Sequence, residues 1–361
     1  MGLSVLEIDG SLGEGGGQVL RTALALSLLT QTAVRLSNVR ARRPKPGLMA
    51  QHLKAVEAAA AVGDAHVEGA ARGSTVLEFA PRRLSCGEFR FDIGTAGSTS
   101  LVLQTVLLPL ARAGGVSHLT ITGGTHVPWS PCFDYLQLQW LPYLRQIGVR
   151  AEAYIELAGF YPRGGGCIHA TIHPSAAWRP LELTGRGAPK AIHGLSAVAN
   201  LHTGIAERQC RQALTRLRGE QVSIEVVNLR GRSPGTMLLL LAEFERSQAC
   251  YFALGARGKP AERVADEALD ALEQFLATDG AIDQYLADQL ILPLALAAGV
   301  SQLHTSCVTQ HLITNCDVVR RFLPVEIHID GAIGQPGLVS ILTRGQPSAS
   351  GPRVRRPGRS P

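Results

Sequence analysis

Apolar and polar positions divide the chain into short runs of period two and longer runs of period 3.6, and the two kinds follow one another in a recurring order. Residues 4–8 read as a strand, 17–29 as a helix, 34–39 as a strand, 47–62 as a helix, and 66–68 and 75–79 as two more strands. The same order returns as strand 89–93, helix 98–113, strand 118–122, helix 133–147 and strands 150–156 and 166–172. A third series runs helix 281–298, strand 302–306, helix 310–322 and strands 325–329 and 337–342. The likeness lies in the order of elements, not in the residues.

A unit of two helices on one face of a four-stranded sheet cannot cover its own apolar helix faces. Three of them are therefore expected to turn their helices inward around a pseudo-threefold axis. Between the second and third series, residues 184–279 carry strands at 192–200, 222–228, 237–243 and 250–254 and helices at 205–217 and 260–276, the size of an independent α/β module. The expected architecture is an α/β protein with a large domain from residues 1–183 and 280–343, interrupted by a small α/β domain at 184–279. Residues 344–361, rich in Pro, Gly, Ser and Arg, cannot bury a core and are expected to form a disordered basic tail.

Composition sharpens this picture in two places. The net charge of +6 suggests a polyanion partner until it is located: Arg344, Arg353, Arg355, Arg356 and Arg359 all lie in the tail, and subtracting those five leaves +1 for the rest of the chain. The body is nearly neutral, so any nucleic-acid chemistry has to come from a local cluster, with the tail adding salt-sensitive attraction to RNA at most. The 7 cysteines are odd in number and never spaced Cys-x-x-Cys, the pattern of reduced intracellular thiols without a structural zinc. With neither a leader-like segment nor a membrane-length apolar run, the expected location is the cytoplasm.

The densest candidate for chemistry is residues 9–21, Asp-Gly-Ser-Leu-Gly-Glu-Gly-Gly-Gly-Gln-Val-Leu-Arg. Four of the five residues 13–17 are glycines, so backbone N–H groups can approach an anion closely, with a helix opening directly behind them. Glu14 is the side chain among them. A carboxylate in such a loop repels phosphate unless a cation lies between, which reads as a ligand for Mg2+ or Mn2+. Arg21, inside the helix, adds a positive group. The loop is neither a Walker loop, since Gly16 stands where Lys is needed, nor a dinucleotide fingerprint, since Gln18 stands where Gly is needed.

Four further constellations carry candidate chemistry. Arg35, Arg40, Arg42, Arg43 and Lys45, followed by Gln51 and His52 in the next helix, suit a terminal-phosphate clamp. Residues 95–99, Thr-Ala-Gly-Ser-Thr, open a helix that carries Gln104. Tyr285, Asp288 and Gln289 share one helix face and could read a nucleobase edge, while Leu286, Leu290 and Leu294 share another. His311 and Asn315 are i, i+4 neighbours at a helix start, where a neutral imidazole is favoured and its nitrogen can attack phosphorus. Taken singly, these patterns suit equally well a solvated loop, a capped turn, a polar helix face and an ordinary helix-start histidine.

Taken together, they resemble one family. Gly-Glu-Gly-Gly-Gly-Gln-Val-Leu-Arg at 13–21, Lys-Pro-Gly-Leu-Met-Ala-Gln-His-Leu at 45–53, Gly-Phe-Tyr-Pro-Arg-Gly-Gly-Gly at 159–166, Tyr-Leu-Ala-Asp-Gln at 285–289 and His-Leu-Ile-Thr-Asn at 311–315 resemble, in this order, the RNA 3′-terminal phosphate cyclases. The resemblance covers residues 4 to about 343. It implies three repeated units plus an insert, akin to the enolpyruvyl transferase fold, and an ATP-dependent reaction on an RNA 3′-phosphate with Mg2+ or Mn2+.

By that resemblance His311 is the nucleophile that carries AMP, and Glu14 holds the metal on the ATP phosphates. Gln104, Pro131, Phe252 and the stretch Tyr285, Leu286, Ala287, Asp288 and Gln289 surround the nucleotide. Arg21, Arg40, Arg43, Gln51 and His52 hold the RNA end. The chain departs from the family pattern at Ala158, where a basic residue is usual, and across residues 126–134. Relatives of the same fold that act in ribosome assembly without catalysis lack the histidine, and an enolpyruvyl transferase would use phosphoenolpyruvate without ATP.

Overall fold

The computed structural model describes residues 5–217 and 221–343; the basic tail at 344–361 lies outside them. The first unit consists of β1 (Leu6–Asp9), α1 (Gly17–Thr30), β2 (Val34–Ser37), α2 (Ala50–Gly63), β3 (His66–Glu68) and β4 (Leu77–Ala80). The second has β5 (Glu88–Asp92), α3 (Thr99–Arg112) and β6 (Ser117–Gly123). A helix in three parts follows, α4 (Phe133–Tyr135), a π turn (Leu136–Trp140) and α5 (Leu141–Ile147), and then β7 (Ala151–Leu157) and β8 (Gly166–Ile172). A two-residue strand, β9 (Glu182–Leu183), comes next. It precedes β10 (Pro189–Ala199), α6 (Gly204–Arg216), β11 (Val222–Asn228), β12 (Gly235–Phe244), β13 (Gln248–Leu254) and α7 (Ala261–Leu276). The chain then returns through α8 (Gln284–Ala295), β14 (Gly299–Thr305), α9 (Gln310–Phe322), β15 (Val325–Asp330) and β16 (Gly337–Thr343).

Three of the four sheets share one topology: β1-β2-β4-β3, β5-β6-β8-β7 and β9-β14-β16-β15. In each the first pair is parallel and the other two antiparallel. The third series therefore does have a first strand. It is β9, which pairs Glu182 with Gln302 and Leu183 with Leu303, and it lies upstream of the fourth sheet in the chain. The fourth sheet, β11-β10-β12-β13, is wired differently, with its first strand β10 internal.

The helices close a ring. α2 of the first unit packs on α3 of the second, α5 of the second on α8 of the third, and α9 of the third on α1 of the first. Each unit thus covers the apolar helix face its neighbour leaves bare, as three half-covered layers require. In β12 the run Met237–Ala242 is buried on both sides because successive residues serve two cores. Met237, Leu239 and Leu241 join the main core, whereas Leu238, Leu240 and Ala242 pack under α7.

Two helix starts differ from the pattern read in the sequence. The helix expected from 47 begins at Ala50 because the Leu48 backbone pairs with Ser74 and Gly73. The one expected from 281 begins at Gln284. Ala281 and Ile282 donate their N–H groups to the His304 carbonyl, and Asp283 caps the helix by accepting from the Tyr285 and Leu286 N–H groups.

Candidate active site

The glycine loop lies between β1 and α1, where three chain segments converge on it. A Cβ on Gly13 would collide with Thr314 of α9, one on Gly15 would lie 2.9 Å from the Arg42 side chain, and one on Gly16 would lie 2.8 Å from Arg43 Nη2. At Gly17 it would meet His52 Nε2 at 2.5 Å and Arg21 Nη1 at 2.8 Å. The glycines are therefore needed for close approach as well as turning; Gly13 and Gly15 also adopt positive φ.

Along the mouth of this loop runs a chain of side chains from α8 through α1 to α9. Gln18 Nε2 donates to Asp288 Oδ1 at 2.6 Å, and Gln18 Oε1 lies 2.8 Å from His311 Nδ1. Asp288 accepts but cannot donate while ionised, so it fixes which end of the Gln18 amide faces the histidine. That oxygen in turn requires the proton of His311 on Nδ1. Nε2 is left facing Glu14, whose Oε2 is 2.9 Å away. Arg43 Nη2 lies 3.3 Å from the same carboxylate oxygen.

The backbone behind His311 is held just as closely. Asn315 donates to the Asp288 carbonyl at 2.9 Å and accepts from Thr22 Oγ1 at 2.8 Å, locking α9 to α8 and α1. Thr309 caps α9 through the Leu312 N–H. Burial raises the Asp288 carboxyl to about 6, against the opposing pull of His311, Gln18, Asn315 and Arg21. A cavity of about 90 Å3 runs inward from here between Gln18, Arg21, Gln104, Asp288, Gln289 and the π-turn residue Trp140.

The basic side of the loop is built by α2. The Met49 N–H donates to His52 Nδ1 at 3.2 Å, so the ring proton sits on Nε2, the atom that faces Gly17 and Arg21. Burial, with Arg21 and Arg40 beside it, lowers His52 to about 3 and keeps it neutral. Burial also lowers Arg21, to about 10, which leaves it charged at neutral pH. A neutral N–H donor, a guanidinium and the glycine amides thus converge on one point, an arrangement suited to an anion.

The remaining residues singled out in the sequence are spread more widely. Gln51 accepts from the Ser98 N–H at 3.4 Å, tying α2 to the start of α3, and Gln104 donates to Gln289 at 2.8 Å. Arg40 spends one guanidinium nitrogen on its own loop, donating to the Lys45 and Gly47 carbonyls at 2.7 Å each. Leu286 and Ala287 are buried in the core. Tyr285 is half-exposed with its ring edge-on to Tyr251, at the seam between α8 and the fourth sheet, and Phe252 lies 6.3 Å from the Tyr135 ring, at the seam between α4 and that sheet. Pro131 is half-buried just before α4, and no polar contact ties it to the others.

Two residues of consequence had no signal of this kind. Gln18 entered the sequence reading as the residue that breaks a dinucleotide fingerprint. Asp283 did not enter at all; fully buried, it accepts from Tyr135 Oη at 2.9 Å, Gln139 Nε2 at 2.6 Å and the Cys250 N–H at 3.4 Å as well as from its own helix. The spacing Asp-x-x-Leu before an apolar helix could have marked it as a cap, but its distant partners could not be seen.

The chain is thus an α/β protein of three repeated units in which helix starts and a glycine loop form a mouth suited to an anion, beside a histidine whose tautomer is fixed. The family model of RNA 3′-terminal phosphate cyclase matches residues 12–329. Proteins named RNA 3′-terminal phosphate cyclase match nearly end to end. The one from Methylococcus capsulatus is 45% identical, with 94% of this chain and 97% of the relative covered. Its counterpart from Pseudomonas fluorescens is 46% identical over 90% and 94%, and that from Thermococcus gammatolerans 43% identical over 94% and 99%. The chain belongs to the RNA 3′-terminal phosphate cyclase family of enzymes. A solved enolpyruvyl transferase, NikO from Streptomyces tendae, aligns with 94% of this chain and 49% of its own at 9% identity and a TM-score of 0.35, too distant to carry an argument. Among the described residues no helix is long and apolar enough to cross a membrane.

Proposed function

We propose that this chain converts an RNA 3′-terminal phosphate to a 2′,3′-cyclic phosphodiester at the expense of ATP, with His311 as the transient carrier of AMP. The observation that carries the reading is the Asp288–Gln18–His311 chain, which holds the imidazole with Nδ1 protonated and Nε2 turned to the glycine loop. Family membership supplies the substrate class.

Rotation of Glu14 off Nε2 and loss of any shared proton leave a lone pair there. That nitrogen attacks the α-phosphorus of ATP; a P–N bond forms, the bond to the bridging oxygen breaks, and pyrophosphate leaves. An oxygen of the RNA 3′-phosphate, held by Arg21, Arg43, Gln51 and the Nε2–H of His52, then displaces the imidazole and takes AMP. Finally the neighbouring 2′-OH attacks the activated phosphate, its proton goes to solvent and AMP departs; the hydroxyl is already in place, so little entropy opposes closure. Arg40, having committed one nitrogen to its loop, contributes its remaining donors.

Glu14 offers a hard cation a half-exposed carboxylate, on which the ion would replace the contacts of Arg43 and His311, and Mg2+ is commonly held by one or two carboxylates plus substrate phosphates. A divalent ion held there supplies charge neutralisation to the triphosphate. By the same resemblance Gln104, Pro131, Phe252, Tyr285, Asp288 and Gln289 surround the nucleotide, while Leu286 and Ala287 support them from the core.

The test is incubation with α-labelled ATP and Mg2+ or Mn2+. Acid-labile label on the protein, absent in His311→Ala, together with cyclic ends formed on a 3′-phosphorylated oligonucleotide, is the expected result. An unlabelled protein that still binds RNA would favour the non-catalytic reading instead.

A further inference from the structure

The outer face of the second sheet carries a cluster that the proposed reaction does not use. Cys167 and His169 are i, i+2 on β8 and so project to the same face, opposite to Ile168 and Ala170 of the core. On β7 the register slips between Ile155 and Leu157, and the extra residue is Glu156. The bulge delivers its carboxylate to the same spot. The thiol, imidazole and carboxylate atoms all lie within 4.8 Å of one another.

We infer that Glu156, Cys167 and His169 form a binding site for a single Zn2+-class divalent ion, with the fourth position open to water. Three features of the geometry argue for it. His169 Nδ1 lies 3.2 Å from Thr120 Oγ1 of β6, a second partner that fixes the ring so that Nε2 points at the other two ligands, as metal-bound histidines commonly require. The Tyr154 ring stacks on the imidazole at 4.7 Å and holds its plane. The Cys167 Sγ to His169 Nε2 separation is 3.5 Å, close to the roughly 3.5 Å edge of a tetrahedron with ordinary zinc–ligand bonds.

Glu156 Oε2, at 2.7 Å from the same nitrogen, has to withdraw by less than about 1 Å, and as the exposed member it is free to do so. A thiolate and a carboxylate together cancel a dication, and sulfur with imidazole selects Zn2+ or Co2+ over Mg2+.

The same distances rule out a nucleophilic triad. Thiol and carboxylate both meet Nε2, so no imidazole relay connects them. Without metal the site is held as a hydrogen-bonded cluster, and burial with Glu156 alongside pushes the Cys167 thiol up to about 11; a bound cation reverses that preference. Arg230 acts on Glu156 and Arg232 on Cys167, and both temper the affinity. The ion would brace the base of the 158–165 loop, whose Gly164 abuts the Ala96 backbone beside the start of α3.

The experiment is a Co2+ titration of chelator-treated full-length protein, followed by displacement with Zn2+. One equivalent of Co2+ should produce thiolate-to-cobalt charge-transfer absorption that Zn2+ abolishes, a signal the Glu14 site cannot give because it has no sulfur. Cys167→Ser should lose the band, and Thr120→Val should keep it with affinity lowered roughly tenfold. Absence of the band in the parent protein, or its persistence in Cys167→Ser, would overturn the site. If Cys167→Ser does not fold, His169→Gln serves in its place and must weaken binding at least roughly tenfold.

Discussion

Gln18 and His311 lie 293 residues apart in sequence and 2.8 Å apart in the fold, and the amide oxygen of the first dictates where the second carries its proton. Asp288 holds the other end of that amide at 2.6 Å, so the orientation does not depend on Gln18 alone. Gln18→Glu keeps the size but cannot donate to Asp288, and its charge is repelled by the carboxylate it should hold. Adenylyl transfer to the protein should slow on the order of 10²-fold, the cost of a misoriented nucleophile. Single-turnover transfer from α-labelled ATP measures it, and an unchanged rate would remove Gln18 from the mechanism.

The proposed anion mouth and the proposed nucleophile, His311, are separable through Gly17. A Cβ there would sit 2.5 Å from His52 Nε2 and 2.8 Å from Arg21 Nη1, while His311 lies on the other flank of the loop. Gly17→Ala should therefore raise the KM for a 3′-phosphorylated oligonucleotide roughly tenfold, about 1.4 kcal/mol of lost binding, and leave self-adenylylation largely intact. Equal loss in both assays would mean that the two sites are not distinct.

The helices and most strands were legible because their patterns are local: the apolar face of α7 recurs every three or four residues, at Val264, Ala268, Leu272 and Phe275, and α1 and α3 are long apolar runs whatever lies across from them. β9 was not, since two residues, Glu182 and Leu183, carry no period and acquire their meaning by pairing with Gln302 and Leu303 some 120 positions later. The glycine loop, the basic clamp and His311 were visible as residue types suited to phosphate. Their connection through Gln18 was not, because a glutamine at the second position of a helix has no pattern that names its partners. The metal cluster escaped for a similar reason. It has no Cys-x-x-Cys spacing, because Cys167 and His169 take their third partner from a bulge on the adjacent strand.

Asp283 joins three parts of the molecule, capping α8 of the third unit while binding Tyr135 and Gln139 of the second and the Cys250 N–H of β13. Burial raises its carboxyl, and the surrounding donors oppose that rise. Asp283→Asn can still accept from Leu286 and Tyr135 with its oxygen, but its NH2 group then faces the donors of Gln139 and Cys250. Two buried donors left unsatisfied should cost about 2–4 kcal/mol. Urea unfolding reads this as a lower midpoint, and a midpoint equal to that of the parent would show that Asp283 is replaceable.

His52 gives the clearest acid signature. Its folded value is about 3 against 6.5 when unfolded, so below pH 6.5 the unfolded chain takes up a proton that the native site refuses, and stability falls as pH drops toward 3. Asp288 has the opposite sign: raised from 3.8 to about 6, it keeps a proton in the fold that the unfolded chain has lost between those values, which favours the native state on acidification there. The net slope of the parent protein mixes the two and cannot isolate either. Replacing the imidazole in His52→Gln removes one contribution and leaves the other. Between pH 6 and pH 4, where His52 would be protonated when unfolded and neutral when folded, the variant should lose stability on acidification more slowly than the parent, by about 1.4 kcal/mol per pH unit. Parallel curves from chemical unfolding at each pH would mean that His52 accepts its proton within the fold, and with it that the ring is no neutral donor to the RNA end.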